Sequence, residues 1–429
     1  MTTPQRVLGR GALVALVLNS VIGSAVFVLP GTIGGRLGWD APLAWGVGAL
    51  LISLCVAAFV EVSSRFDGPG GPYRYADAAF GPLVGIEVAW LTYFARAVSG
   101  ATQANLFTTA LGEFWPWSTT RAGAMVLATG FIVVLGAVNV RGTRAGAGTS
   151  SIVATIKVVA LAVIALAGIW WWTRGLAVTL VAPSDNSVGG WLSAMLLLSF
   201  AYGGFEGAMI PLGEARNPRR DAPFALIVGF GIVVAIYVAV QVAVLVTVPD
   251  PGATQRPLAA AARAMAGTPG AVAATALVVV SVLGWMAAAM LNVPRLTVAM
   301  AQDGMLPAAL ARVHPSFGTP VWSIVLFGGL AWALAISGSL LQNVSLSVVA
   351  RLIAYIAVCA ALLRFRRMDR EGSIAPALVR VPGGMVIGAV ACVLLLIVLA
   401  QSQRRELLSV AVVMLCAGVH WWRVRSPSS

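Results

Sequence analysis

Asn19-Ser20-Val21-Ile22-Gly23-Ser24-Ala25-Val26-Phe27 and Ser199-Phe200-Ala201-Tyr202-Gly203-Gly204-Phe205-Glu206-Gly207 are the two stretches on which the fold turns. Each lies inside an apolar run, and each puts small, flexible residues where a continuous helix would want long side chains. In each, a proline follows a central glycine by seven positions, Gly23 to Pro30 and Gly204 to Pro211. One such segment alone reads as a packing notch of the small-residue kind. Two matched ones, the second carrying an acid, read as a pair of interrupted helices.

Working outward, apolar runs fall at 11–35, 41–65, 82–110, 122–140, 150–173, 188–213, 222–248, 271–301, 320–338, 345–366, 382–400 and 406–423. The interrupted runs are the first and sixth, so they open two successive sets of five. An odd number of spans per set inserts the second set upside down relative to the first. The expected fold is all-α and integral to the membrane, with about twelve transmembrane helices in a single domain over 1–429. Its parts are a five-helix repeat at 11–173, an inverted one at 188–366 and two appended helices at 382–423.

Composition requires the bilayer. Of 429 residues, 59% are hydrophobic and 10% charged, with a mean hydropathy of +0.91, whereas a soluble domain is nearer a quarter charged. A net charge of +13 raises the question of nucleic acid, but the arginines sit at the ends of apolar runs and form no patch. The segments holding Arg6, Arg10, Arg65, Arg141, Arg144, Arg216 and Arg364 carry 17 arginines and the opposite set 7. By the positive-inside rule both termini are expected in the cytoplasm of a cell (inner) membrane. The first run has charges on both sides and no small-residue cleavage site, so it reads as the first span. Four cysteines inside apolar runs without paired spacing, and two histidines, His314 and His420, suggest no disulfide framework, metal site or cofactor.

A broken helix frees backbone groups that lipid cannot satisfy, so the gap must face protein or a polar cavity. The N-terminal end of the second half-helix offers N–H donors that suit a carboxylate. The C-terminal end of the first half offers carbonyls that suit an ammonium. A free α-amino acid carries both groups. On this logic the N–H groups around Ser24, Ala25 and Val26, with the Ser24 hydroxyl, hold a carboxylate next to Gly23. The carbonyls of Val21, Ile22, Phe200 and Gly203 hold the amine, with Tyr202 close by in the same gap.

The Ile22–Pro30 run resembles the first-span signature of the amino acid–polyamine–organocation transporter superfamily. Further matches are Glu61–Phe66, Gly70–Tyr75 and Ala79–Gly81 after the second run, and Gly213–Arg220 after the sixth. Ala299–Pro307 and Phe317–Pro320 follow the eighth. The chain departs from the pattern at Ala25, usually a second glycine, and at Gln302, often arginine. The resemblance implies a LeuT-type five-plus-five inverted repeat of the amino acid permease type, in which Ala97 lines the substrate pocket. It also places Lys157 near the second sodium site of sodium-coupled relatives.

Ionisable residues at bilayer depth are costly and are therefore candidates for function. Glu206, in the second break, is expected either to carry a proton and link the gate to occupancy or to remain a protonated helix-to-helix donor. Lys157, the only lysine in the chain, either stands in for a sodium ion or extends to the interface. Arg96 either pairs with an acid such as Glu206 or locks the third span. Arg351 is expected to snorkel to the outer interface. Glu61, Asp67, Asp77, Glu87, Glu214, Asp221 and Asp303 lie at arginine-rich span ends, where structural ion pairs are the simpler reading. Trp285 and Phe205 are candidate pocket walls.

An embedded enzyme would need a catalytic constellation, and none is visible. A channel would repeat polar pore-lining faces, whereas polar residues here gather at two breaks. The expected function is secondary active transport of an amino acid by alternating access, independent of sodium, with protons as the candidate coupling ion. Small and apolar pocket residues favour a neutral, aliphatic substrate. A cationic amino acid or polyamine antiporter is the alternative, because Glu206 could meet a second ammonium. The expected partners are the amino acid, membrane lipid and protons, with no nucleic acid, in a monomer or homodimer.

Overall fold

The computed structural model describes residues 8–68, 70–142, 146–302, 304–372 and 374–425. Arg6, Arg144 and Asp303, named above, lie outside them. The described chain is a bundle of helices: α1 (Arg10–Val21), α2 (Ala25–Leu37), α3 (Ala41–Ser63), α4 (Pro72–Phe80), α5 (Pro82–Leu111), α6 (Arg121–Val140), α7 (Gly146–Thr173), α8 (Val188–Ala201), α9 (Pro218–Thr247), α10 (Pro257–Gln302), α11 (Val321–Ser337), α12 (Leu340–Arg370), α13 (Gly384–Leu399) and α14 (Arg404–Arg425). Eight helical segments among these residues are long and apolar enough to cross a membrane. The shorter apolar helices Arg10–Val21, Val321–Ser337 and Gly384–Leu399 stand beside them. Large apolar side chains such as Val133, Leu166, Val386 and Leu415 face outward, as they do where lipid is the solvent. The chain is a multi-pass membrane protein.

Both interruptions are present. α1 stops at Val21, and Ile22 takes φ −71° and ψ 81°. Gly23 N–H donates to Val21 O at 2.7 Å. These are the dihedrals and bond of an inverse γ-turn, which ends one half-helix and lets α2 restart at Ala25. α8 stops at Ala201, and Gly204 adopts φ +104°, a conformation open to glycine and costly for other residues. A short 3₁₀ turn, Phe205–Met209, follows. The apolar run expected to continue to 213 is therefore α-helical only to 201.

Two elements differ from the expected spans. α4 lies in the arginine-rich loop after α3, and its Tyr73 and Tyr75 are buried. α10 begins at Pro257, well before the expected 271, and bends at Ala266–Gly267, where Gly267 has φ +64°. Inside the bundle, α1 packs on α7 and α9, α8 on α12 and α3, and α5 on α10, α11 and α12. Glycines set the closest approaches. A Cβ on Gly229 of α9 would come within 2.7 Å of Val17 of α1, and one on Gly168 of α7 would overlap Ala243 of α9.

Candidate functional site at the two helix breaks

Ending α1 at Val21 frees the last carbonyls of that helix, and each finds a donor. Trp285 Nε1 donates to Ser20 O at 3.0 Å. Tyr237 Oη donates to Val21 O at 3.1 Å. The Lys157 ammonium, fully buried on α7, donates to Ile22 O at 2.8 Å, Asn19 Oδ1 at 2.7 Å and Asn19 O at 3.5 Å. The lysine therefore points into the first break and away from the interface. Three oxygens around one compact cation form the kind of cluster that a bound metal ion would otherwise need.

α2 starts without a side-chain cap, so its first N–H groups are available. The Ser24 hydroxyl meets Gln103 Nε2 at 3.4 Å. A Cβ on Gly23 would lie 2.8 Å from Gln103 Nε2 and 3.5 Å from the Trp285 ring. Gly23, Ser24, Gln103 and Trp285 thus come together. Ala25, Val26 and Ala97 are buried nearby in the same core. Tyr202 points elsewhere: its hydroxyl donates to Trp45 O at 3.0 Å, and its ring packs on Trp45, Phe230 and Tyr237. Phe205 is buried against Phe59 and Tyr355.

The second break is held by charge. Glu206 Oε2 accepts from Gly204 N–H at 2.9 Å and from Tyr355 Oη at 2.5 Å, while Arg351 Nε lies 3.5 Å from Glu206 Oε1. Arg351 also donates to Ser99 Oγ at 3.0 Å and reaches Phe200 O at 3.5 Å. A Cβ on Gly203 would lie 2.5 Å from Arg351 Nη1. The expectation that Arg351 snorkels is corrected: it is 4% exposed, because ion pairing to Glu206 in the core outweighs a reach of several ångströms to the surface. Arg96 is the partner that Glu206 does not take. Its Nη1 donates to Ser20 Oγ at 3.2 Å and Gly204 O at 3.4 Å, and its guanidinium lies 4.8 Å over Trp285. Ser20 Oγ in turn donates to Gly204 O at 2.7 Å, tying the two breaks together.

Of the carbonyls expected to hold an amine, those of Val21, Ile22 and Phe200 already accept from Tyr237, Lys157 and Arg351. Gln103, Asn19, Arg351, Tyr237 and Tyr355 reach the breaks without having been singled out for them. A signal existed for most. Arg96, Ser99 and Gln103 fall at helical spacing on α5, and Ser347, Arg351 and Tyr355 on α12, so each set forms one polar stripe.

At one end, a cavity of about 630 Å³ is lined by Val28, Thr32, Asn105 and Thr108, one turn beyond Ser24 and two residues beyond Gln103. At the other end the chain is closed. Arg65 pairs with Asp369 at 2.6 Å, Arg366 with Glu61 at 2.6 Å, and Arg10 with Asp221 at 2.7 Å. Arg295 pairs with Glu214. Leu8 N–H donates to Glu214 O and Arg216 N–H to Leu8 O, each at 2.9 Å.

A multi-pass helical bundle with its buried polar residues gathered on two unwound segments, a cavity at one end and ion pairs across the other, is built as a membrane transporter. The chain belongs to the amino acid permease family, which matches residues 8–417, and it is a transporter and not an enzyme. Uncharacterised transporters of Mycobacterium tuberculosis and Mycobacterium bovis are each 31% identical to it over 415 residues, 93% of this chain and 87% of theirs. The serine/threonine exchanger SteT of Bacillus subtilis is 28% identical over 344 residues, 76% of this chain and 75% of its own.

Proposed function

We propose that this amino acid transporter carries a small neutral amino acid across the cell membrane without sodium. It does so by alternating access of a five-plus-five inverted repeat within twelve spans, both termini cytoplasmic. The observation that carries the sodium independence is the Lys157 ammonium at 2.7 and 2.8 Å from Asn19 Oδ1 and Ile22 O. A cation already bonded to the carbonyls at the end of α1 leaves no place for a second one, since like charges at that separation repel strongly in a low dielectric. Lys157 and Glu206 are then the groups through which protons would act on the cycle.

The repeat is supported by paired packing. α1 rests on α7 as α8 rests on α12, and α5 packs on α12 as α10 packs on α7. For the substrate, the uncapped first turn of α2 with Ser24 suits the carboxylate, and Gln103 adds a polar amide beside it. A neutral side chain is favoured because Glu206 is already engaged by Arg351, Tyr355 and Gly204, so nothing remains for a second ammonium. That the similar Bacillus subtilis protein is named a serine/threonine exchanger agrees with a small neutral substrate. A cationic amino acid or polyamine has no comparable support.

Uptake into proteoliposomes, tested with all twenty amino acids in sodium and in choline buffers, decides the matter. Saturable flux of small neutral amino acids, equal in both buffers, is expected. Flux of none, or of cationic ones alone, overturns the substrate reading, and strict sodium dependence overturns the role of Lys157.

A further inference from the structure

Arg96 is a buried cation without a carboxylate. It is 4% exposed, and its Nε has no hydrogen-bond partner. Among the described residues no acid lies within ion-pair distance of it, because Glu206 is held by Arg351. A guanidinium has five N–H donors and does not shed its proton, and Ser20 Oγ and Gly204 O together occupy only Nη1. Such a charge is destabilising unless an anion reaches it.

The space beside Arg96 says where that anion would come from. A cavity of about 10 Å³, room for roughly one water, is lined by Asn19, Ser20, Arg96, Gly207, Trp285 and Asn292. A second, of about 60 Å³, shares Leu16, Ala288 and Asn292 with it and continues to Glu214, Arg295 and Leu8. The two form a narrow line from the breaks toward the arginine-rich end. Arg96 stands at its head, on the far side of Gly23–Ser24 from the large cavity.

We propose that Arg96 is a second carboxylate subsite: as the arginine-rich end opens, the substrate's carboxylate passes from the N–H groups of α2 to the Arg96 guanidinium before release. The subsite rests on the transport reading above. It gives the carboxylate a charge-assisted partner on a path where it would otherwise cross the bundle unpaired, and the same charge repels cationic side chains from that path.

The test measures KM at each face in right-side-out and inside-out proteoliposomes, using the neutral amino acid that the wild type carries best. Arg96→Gln should raise KM at the cytoplasmic face roughly tenfold more than at the external face, the loss of one hydrogen bond to a charge that only the inward path uses. Arg96→Lys, which keeps the charge without the fork, should fall between the two. The driving force alone sets the ratio of kcat/KM for the two directions. An unequal KM change must therefore bring a matching rise in efflux kcat relative to influx, which checks the two KM values against each other, whereas general loosening of the bundle changes both faces alike. Equal KM changes at both faces, or none, overturn the subsite. Should Arg96→Gln fail to insert, Asn292→Asp supplies the guanidinium with a carboxylate across the small cavity. It should raise the cytoplasmic KM by competition, and an unchanged value overturns the proposal. Wild-type vesicles carrying no amino acid would instead fail the transport reading.

Discussion

Gly23 has a hydrogen where any other residue would put a carbon 2.8 Å from Gln103 Nε2. A flexible amide can yield to one methyl, so Gly23→Ala should keep part of the flux. A β-branched side chain is stiff and also meets Trp285. Gly23→Val should therefore insert normally and carry nothing, as uptake and size-exclusion profiles would report; normal kinetics in that variant would remove the substrate from this gap. Lys157 is argued the same way. Lys157→Ala leaves Ile22 O and Asn19 Oδ1 without their donor and detaches α7 from the end of α1, so turnover should fall at least tenfold and more than binding. Lys157→Arg is too large and planar for a cluster around a compact ammonium and should not restore flux. Flux at the wild-type level in both variants would assign the lysine to packing alone. The type of residue and its depth were legible at both positions. The direction of the lysine was not, since its stem reaches an interface or a carbonyl equally well until α1 and α7 are docked.

Helix α12 is joined to the second break by the Arg351–Glu206 pair and the Tyr355–Glu206 hydrogen bond. Removing one member of a buried ion pair leaves its partner unpaired, at a cost of about 3–5 kcal/mol. Glu206→Gln and Arg351→Met should each lower the unfolding midpoint in detergent, and the double variant should lie above the sum of the two losses. Strict additivity would mean that the pair contributes nothing to holding α12 on the break. The seam between α7 and α9 depends on a different feature: a Cβ at Gly168 would overlap Ala243, so Gly168→Val should cost about 1–3 kcal/mol through overpacking. Retained stability there would mean the helices can separate freely. Neither contact could be read from the chain itself, because Arg351 and Glu206 are far apart in sequence and each is compatible with several partners.

Taken whole, the bundle is asymmetric from end to end. The arginine-rich end is crossed by ion pairs linking α3, α12 and the following loop through Glu61, Arg65, Arg366, Asp369 and Arg380. The opposite end holds the large cavity. If the arginine excess sets orientation, an impermeant thiol reagent added outside cells should label a cysteine placed at Gly175, between α7 and α8, and should spare one placed at Arg216. The reverse pattern would invert the protein and exchange the roles of its two ends.

Composition and apolar periodicity were enough to require a helical membrane protein, because no soluble fold can hide so much apolar surface. The matched Gly–Pro interruptions were enough to locate both breaks, because small residues recur at the same place in two apolar runs: Gly204 takes a left-handed φ of +104°, and Gly23 leaves room for Gln103 and Trp285. The tertiary structure alone decided how those breaks are satisfied. Freed carbonyls and buried charges choose partners by distance in space, so only docking of α5, α7, α10 and α12 around α1 and α8 could pair Lys157 with Ile22, Arg351 with Glu206, and leave Arg96 without an acid.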